Sequence, residues 1–299
     1  MEETRISWAH ATWNPYTGCE WVSHECDGCY ARTLLVRAGR EFNVLALTQT
    51  GMTPYHLNAE AERQNKQAIC FVCSLSDFFH KDADRWRADA WQTISDCTNV
   101  NFMLLTKRPE RIVDCLPDGW GEGERFKNAW LGTTCGLRSS YERVKILQSI
   151  PCSLRFLSIE PLMESVADIP LGGIGWVATG GMSGSLYKKH RMQMAWAAEV
   201  HDLCLAAGIP FLFKQSSNIF SERGINGLSV FLAEREGKSA DPETVPLLRS
   251  YPATDLPLLP FIEYGHRFTM EEFRDYQSAV KASSRRLQEA RSENEPARF

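Results

Sequence analysis

The chain has 299 residues, 43% of them hydrophobic and 23% charged, with a net charge of -4 at neutral pH. That is enough apolar material for one large domain or two small ones. The slight acidity excludes a global pull towards nucleic acid, so any such binding needs a local basic patch. No apolar run is long enough to span a bilayer. The opening Met1-Glu2-Glu3-Thr4-Arg5 lacks the basic and apolar regions of a signal peptide. A cytoplasmic location is therefore expected, and there ten cysteines read as thiols or metal ligands rather than disulfides.

In chain order, a short strand is expected around Ala11, Thr12 and Trp13. A turn-rich loop follows that carries Cys19, Cys26 and Cys29. Residues 31–42 have a helical pattern, with Leu34, Leu35 and Ala38 on one side. Residues 43–66, with Gly51 and Pro54, give no clear element. Then a rhythm sets in. Apolar runs at residues 68–74, 102–106, 129–134, 154–159, 174–179 and 209–213 alternate with helical patterns. The helices are expected at 86–97, at 109–116 with proline at its start, at 139–150 with Ser139 and Glu142 as a capping box, and at 193–207 before Gly208. Beyond Gln215 the pattern breaks into a glycine- and proline-rich stretch. A final helix is expected from 269 to 291, with Thr269 and Glu272 spaced as a second capping box.

Continuous apolar strands alternating with helices predict an α/β fold with a parallel sheet. About seven βα steps favour a complete or partial (β/α) TIM-type barrel over a doubly wound sheet. The expected division is a barrel domain at 1–217 with its N-terminal loop, and a lid-like extension with a terminal helix at 218–299. Each strand end carries polar residues. They are Ser74, Ser76 and Asp77; Thr106, Lys107 and Arg108; Thr133 and Thr134; Glu160; Gly180, Gly181 and Ser183; and Lys214 and Gln215. Carboxyl ends of parallel strands are where barrels and open α/β sheets build their sites. The other seven cysteines lie in apolar stretches and read as small buried hydrophobes.

Three thiols with no fourth nearby suggest a metal centre with a vacant position. Zinc is one reading, with His24 completing a Cys3His set and the protein acting as a nucleic-acid-binding module. An iron–sulfur cubane held by three cysteines is the other.

The motifs Asn-Pro-Tyr-x-Gly-Cys and Cys-x-x-Cys-Tyr-Ala-Arg resemble the cluster loop of radical S-adenosylmethionine (SAM) enzymes, especially the spore photoproduct lyase-like branch. Closer still is the likeness to a phage-type family with six residues between the first two cysteines. Its further motifs occur here in order: Ser-x-Ser-Asp-x-Phe-His at 74–80, Leu-Thr-Lys-Arg-Pro at 105–109, Glu-Pro-Leu at 160–162 and Phe-Lys-Gln at 213–215. Three departures stand out. The common loop has three residues where this one has six. The aromatic that usually precedes the third cysteine is Gly28. Met182 occupies the glutamate position of a Gly-Gly-Glu-Ser-Gly turn.

The resemblance implies a [4Fe-4S] cluster on Cys19, Cys26 and Cys29, with S-adenosyl-L-methionine bound at its open position. It implies catalytic roles for the three cysteines, Lys107, Glu160 and Lys214. Asp77 or the Ser74 and Ser76 hydroxyls would accept the SAM ammonium, and Lys107, Arg108 or Lys214 would face its carboxylate. Glu160 and Gln215 would hold ribose or substrate, and Tyr30, Thr106, Gly180, Gly181 and Ser183 would complete the pocket. The implied partners are a modified DNA base or nucleotide and an electron donor such as flavodoxin or ferredoxin. A monomer in a phage-infected or prophage-carrying host is expected. The leading substrate is an amino-acid-decorated thymidine, isomerised during DNA hypermodification. The basic run Lys188-Lys189-His190-Arg191, the trio Lys107, Arg108 and Arg111, and the aromatics Trp8, Trp13 and Trp21 would serve such a substrate. A rival is a DNA-lesion lyase, for which Cys135 is the candidate hydrogen donor.

Overall fold

Seven apolar segments lie side by side, and all are parallel. They are β1 (Ala11–Trp13), β4 (Ala68–Val72), β5 (Val100–Thr106), β6 (Ala129–Thr134), β7 (Arg155–Ile159), β8 (Trp176–Gly180) and β9 (Phe211–Gln215). Their spatial order is β1-β4-β5-β6-β7-β8-β9. The computed structural model describes residues 6, 8–261 and 265–293. The sheet curls into a half-barrel, so the partial form of the expected barrel is the one adopted. Strands β2 (Tyr16–Thr17) and β3 (Ala46–Leu47) form a separate antiparallel ribbon beside it.

Side-chain alternation divides the apolar residues between two cores. In β4, Ala68, Cys70 and Val72 face the outer core, while Ile69 and Phe71 face inward. The register levels the inner residues. Phe71 pairs with Met103 and Met103 with Trp130, while Gly132 pairs with Phe156 and Phe156 with Trp176. Trp8 packs on Phe71 and Trp176 at centroid distances of 5.3 and 5.7 Å, and Tyr251 packs on Trp176 at 5.6 Å. These rings fill the half-barrel near the amino ends of its strands, which leaves the carboxyl rim for chemistry.

The outer face is covered by α2 (Thr53–Arg63), α3 (Asp84–Asp96), α4 (Tyr141–Ser149) and α5 (Met194–Ala207). Helix α1 (Tyr30–Arg37) follows the cysteine loop, and α6 (Gly227–Arg235) packs on α5. The terminal α7 (Met270–Glu293) puts Phe273 and Tyr276 into the outer core. Residues 248–250 run along the free edge of β9. The Phe213 N–H donates to Leu248 O at 2.7 Å and the Ser250 N–H to Phe211 O at 2.9 Å, a common way to protect an exposed strand.

Several expectations are corrected. Residues 43–66 contain α2, opened by Pro54 and burying Pro54, Leu57 and Ala61. Helix α1 stops at Arg37 rather than residue 42, and residues 109–116 form two 3-10 turns. Ser139 does not cap α4, because a 3-10 turn at Arg138–Ser140 precedes it. The extension contains α6 as well as irregular chain. The Thr269 capping box does form, with the Glu272 N–H donating to Thr269 Oγ1 at 3.2 Å and the Thr269 N–H to Glu272 Oε2 at 3.0 Å.

Candidate metal centre at the carboxyl rim

The loop with Cys19, Cys26 and Cys29 leaves the carboxyl end of β1 and is sewn to the end of β4. The Gly18 N–H donates to Leu75 O at 3.0 Å and the Ser76 hydroxyl to Gly18 O at 2.6 Å, while the Cys19 N–H donates to Phe42 O at 2.7 Å. All three thiols are free and half-buried. Cys29 is the residue at the start of α1, whose positive end favours bound negative charge. Burial, helped by the Asp77 charge, pushes the Cys19 thiol up to about 11, with the Arg108 guanidinium working against it. Arg108 Nη1 lies 3.7 Å from the Cys19 sulfur.

Asp77 organises one side of the rim. Its carboxylate accepts from Phe79 N–H at 3.0 Å, Thr106 Oγ1 at 2.7 Å, Lys107 N–H at 3.2 Å and Arg108 Nη1 at 3.0 Å. Four donors fill a carboxylate's acceptor sites. The expectation that Asp77 receives a ligand ammonium is therefore corrected. Arg108 is likewise committed to Asp77 and, through Nη2, to Glu20 O at 3.3 Å. Ser76 spends its hydroxyl on Gly18 O, and Thr106 bridges Asp77 and the Arg108 N–H.

The opposite side is built on Glu160. Lys214 Nζ donates to both its oxygens, at 2.9 and 3.0 Å, and Gln215 Nε2 donates to Oε1 at 3.0 Å. Burial opposes the Lys214 charge, but Glu160 and then Glu222 outweigh it and hold the ammonium pKa above its usual range. Tyr30, the first residue of α1, joins this group to the cysteine loop. The residue is 43% exposed overall, while its hydroxyl bonds with Ser74, lies within the fields of Lys214, Cys29 and Glu160 and has its pKa raised by desolvation of that end of the ring. Ser74 is held in turn by Asn14 Nδ2 at 3.1 Å. Lys107 is half-buried and has no ion-pair partner among the described residues, so it is the uncommitted cation of the rim.

The turn after β8 closes over the loop. Gly181 sits so close to Ser217 that a Cβ would lie 2.4 Å from its backbone nitrogen, and Ser183 bridges to Asn218. A Cβ on Gly28 would lie 2.6 Å from the sulfur of Met182. Two of the three departures noted in the sequence thus occupy one contact: glycine in the loop makes room for methionine in the turn.

Thr133 and Thr134 are buried at the end of β6, and the Thr133 hydroxyl donates to Thr106 O. Cys135 is fully buried in the outer core, its thiol pushed up to about 12 mainly by burial, so it does not face the rim. Trp8 and Trp13 are core residues, and Trp21 is 55% exposed. Arg111 is paired with Asp84, and Arg191 lies between the rings of Tyr187 and Tyr276. Lys188 and Lys189 are exposed, and the neighbouring His190 feels the charges of Asp27 and His24.

His24 is turned outward, bonded to Asp27 at 3.1 Å with 74% of its side chain exposed. Among the described residues, Glu20, His80 and Asp82 form the one group of three metal-type donors lying within 4.8 Å of one another, so the three sulfurs are spread more widely than that. The Glu20 group is itself a poor ligand set. His80 Nδ1 accepts the Asp82 N–H at 3.2 Å, which places the ring proton on Nε2, pointing towards Glu20 Oε2 at 3.6 Å.

Glu25 escaped the sequence reading. It is buried beside Cys26 and accepts from groups more than 100 residues away, a relation that no local pattern announces.

Fold and site together define an α/β half-barrel protein with a three-thiol loop at its carboxyl rim. Residues 3–293 match the model of a family described as "protein of unknown function (DUF5131)", and the chain belongs to that family. No curated protein matches it, and no solved structure does.

Proposed function

We propose that this protein is a radical SAM enzyme whose cluster is held by Cys19, Cys26 and Cys29. The observation that carries the reading is three free, half-buried thiols on one loop at the polar rim of a parallel half-barrel. The donor set suits a [4Fe-4S] cluster with one open iron position, and the α1 terminus and Arg108 suit its negative charge. Bound by these cysteines, the cluster would supply the one-electron chemistry that reductively cleaves S-adenosyl-L-methionine and so starts hydrogen abstraction from a substrate.

The protein's own residues would bind and orient. Lys107, without a carboxylate partner, is the cation available to the SAM carboxylate. Asp77 holds Arg108 against the loop, and Tyr30 ties the loop to Ser74 and the Glu160–Lys214 pair. Glu160, oriented by Lys214 and by the fully buried Gln215 behind it, faces ribose or substrate, and the aromatic fill beneath confines the reaction to this one mouth.

The substrate we favour is an amino-acid-decorated thymidine in DNA, isomerised at the group carried by its methyl carbon. Exposed Trp21 suits a base, and the exposed Lys188-Lys189 pair, next to a His190 that feels Asp27 of the loop, suits its phosphates. The lesion-lyase alternative is weakened because Cys135 faces away from the rim.

Anaerobic reconstitution tests the reading. About four irons and four sulfides should bind per chain, and reduction in the presence of SAM should release 5′-deoxyadenosine. Serine at Cys19, Cys26 or Cys29 should abolish both. Bound zinc without iron or sulfide would overturn the proposal. Turnover of SAM with no conversion of amino-acid-modified thymidine in DNA would overturn the substrate alone.

A further inference from the structure

The six residues between Cys19 and Cys26 have a physical explanation in Glu25. We infer that Glu25 is the positioning residue of the loop, a buried clamp that anchors the Cys26 end beyond β6 while Gly18 holds the Cys19 end beyond β4. The inference rests on the three cysteines forming one centre, as proposed above.

The Glu25 side chain is fully buried, in a 3-10 turn at His24–Cys26. Its Oε1 accepts the Gly136 N–H at 2.6 Å. Its Oε2 accepts the Ser140 hydroxyl at 2.9 Å, the Ser23 hydroxyl at 2.8 Å and Arg143 Nη1 at 2.6 Å. Four donors, one of them a guanidinium, compensate the buried carboxylate. Three of these donors belong to the turn after β6 and the start of α4. Gly136 can sit there only as glycine, since a Cβ would fall 1.8 Å from Pro161 O.

The other end of the span is held independently. Gly18 is bonded to Leu75 and Ser76 just past the end of β4, and the neighbouring Cys19 N–H donates to Phe42 O in the segment after α1. Strands β4 and β6 are separated by β5. Two inter-strand steps amount to about 10 Å. A loop anchored at both places must cross that distance, and a three-residue spacer with its own turn would have little chain to do so. The separation of the first two thiols is thus set by the sheet through Glu25.

The first test uses metal-free protein, so it does not depend on the cluster. Alkylation of each cysteine is followed by mass spectrometry in wild type, Glu25→Gln, Arg143→Lys and Ser140→Ala. Glu25→Gln should raise the Cys26 rate by at least ~10-fold while the Cys19 rate changes little, since losing the clamp frees one end of the span. Ser140→Ala, which removes one donor and should fold in any case, should give a smaller increase of the same pattern. Arg143→Lys should stay near wild type.

In reconstituted protein, Glu25→Gln should change the electron paramagnetic resonance spectrum of the reduced cluster and raise the SAM KM more than it lowers kcat. Folded Glu25→Gln and Ser140→Ala with wild-type Cys26 alkylation would overturn the inference. If no variant at position 25 folds, a wild-type Cys26 rate in Ser140→Ala would overturn it alone. Failure of the wild type to take up iron and sulfide would defeat the radical reading, leaving the alkylation result to decide the clamp.

Discussion

At the scale of the residue, Asp77 with Arg108 and Glu160 with Lys214 leave the rim with most of its charges paired. Asp77 and Arg108 are 6% and 11% exposed at the side chain, and their bond is 3.0 Å long. Removing one partner strands the other in a poorly solvated place. Asp77→Ala should therefore cost about 3–5 kcal/mol of stability, measured by urea unfolding of the metal-free protein. Asp77→Asn should cost less, because an amide still accepts from Thr106. A loss under ~1 kcal/mol for Asp77→Ala would mean the pair is solvated as a surface bridge is. The Gly28–Met182 contact makes a second prediction. Gly28→Ala should destabilise by about 1–3 kcal/mol through overpacking, and Met182→Ala in the same chain should recover most of that. Additive effects of the two changes would show that the residues do not share one space. Legibility at this scale followed sequence distance. The three cysteines, Asp77, Lys107 and Glu160 stood out because strand ends and close spacing flagged them. Glu25 lay hidden because its carboxylate answers to Gly136, Ser140 and Arg143, and the commitment of Asp77 to four donors was equally invisible.

At the scale of the element, apolar runs predicted all seven parallel strands to within a few residues, because a strand buried on both faces has little choice but Val, Leu, Ile and aromatics. Helices were harder where burial was partial. Helix α2 buries only Pro54, Leu57 and Ala61, too thin a stripe to read against its polar neighbours. The link between the start of the chain and its extension was likewise unreadable, although it carries a pH dependence. His10 Nδ1 accepts the Ile69 N–H at 2.8 Å, its Nε2 reaches Leu259 O at 2.9 Å, and its ring lies 4.0 Å from that of Phe261. Burial lowers its pKa below the usual 6.5 despite the two backbone contacts. The folded form therefore holds fewer protons at His10 than the unfolded chain as pH falls through about 6.5. Stability from this residue is present above that pH and is lost on acidification. His80 and His190, also lowered mainly by burial, act in the same direction. The thermal midpoint should drop between pH 7.5 and about pH 5.5, and His10→Gln, a neutral side chain with both a donor and an acceptor, should make the drop shallower. An identical pH profile in the variant would remove His10 as a contributor.

At the scale of the whole molecule, a half-barrel has two open ends and two open edges, and something must close them if chemistry is to stay at one mouth. The extension does much of this closing. Tyr251 and Phe261 stack at 4.2 Å beneath Trp176, residues 248–250 cover the edge of β9, and Phe268, Phe273 and Tyr276 enter the outer core. A chain ending at residue 217 would lose all three supports while keeping every proposed ligand. If 1–217 were a self-sufficient domain, it should keep the near-ultraviolet circular dichroism of its packed tryptophans and unfold cooperatively. The packing predicts the opposite outcome: secondary structure retained in part, fixed aromatic packing lost, and binding of a hydrophobic dye gained. The milder pair Tyr251→Ala and Phe261→Ala separates floor from edge, since it leaves residues 248–250 in place. Each change should cost about 1–3 kcal/mol, since both residues are only half-buried, with the pair less than additive because the two rings stack on each other. A truncated chain that unfolds cooperatively with native tryptophan signals would show instead that the half-barrel carries its own closure, and that the extension serves the rim rather than the floor.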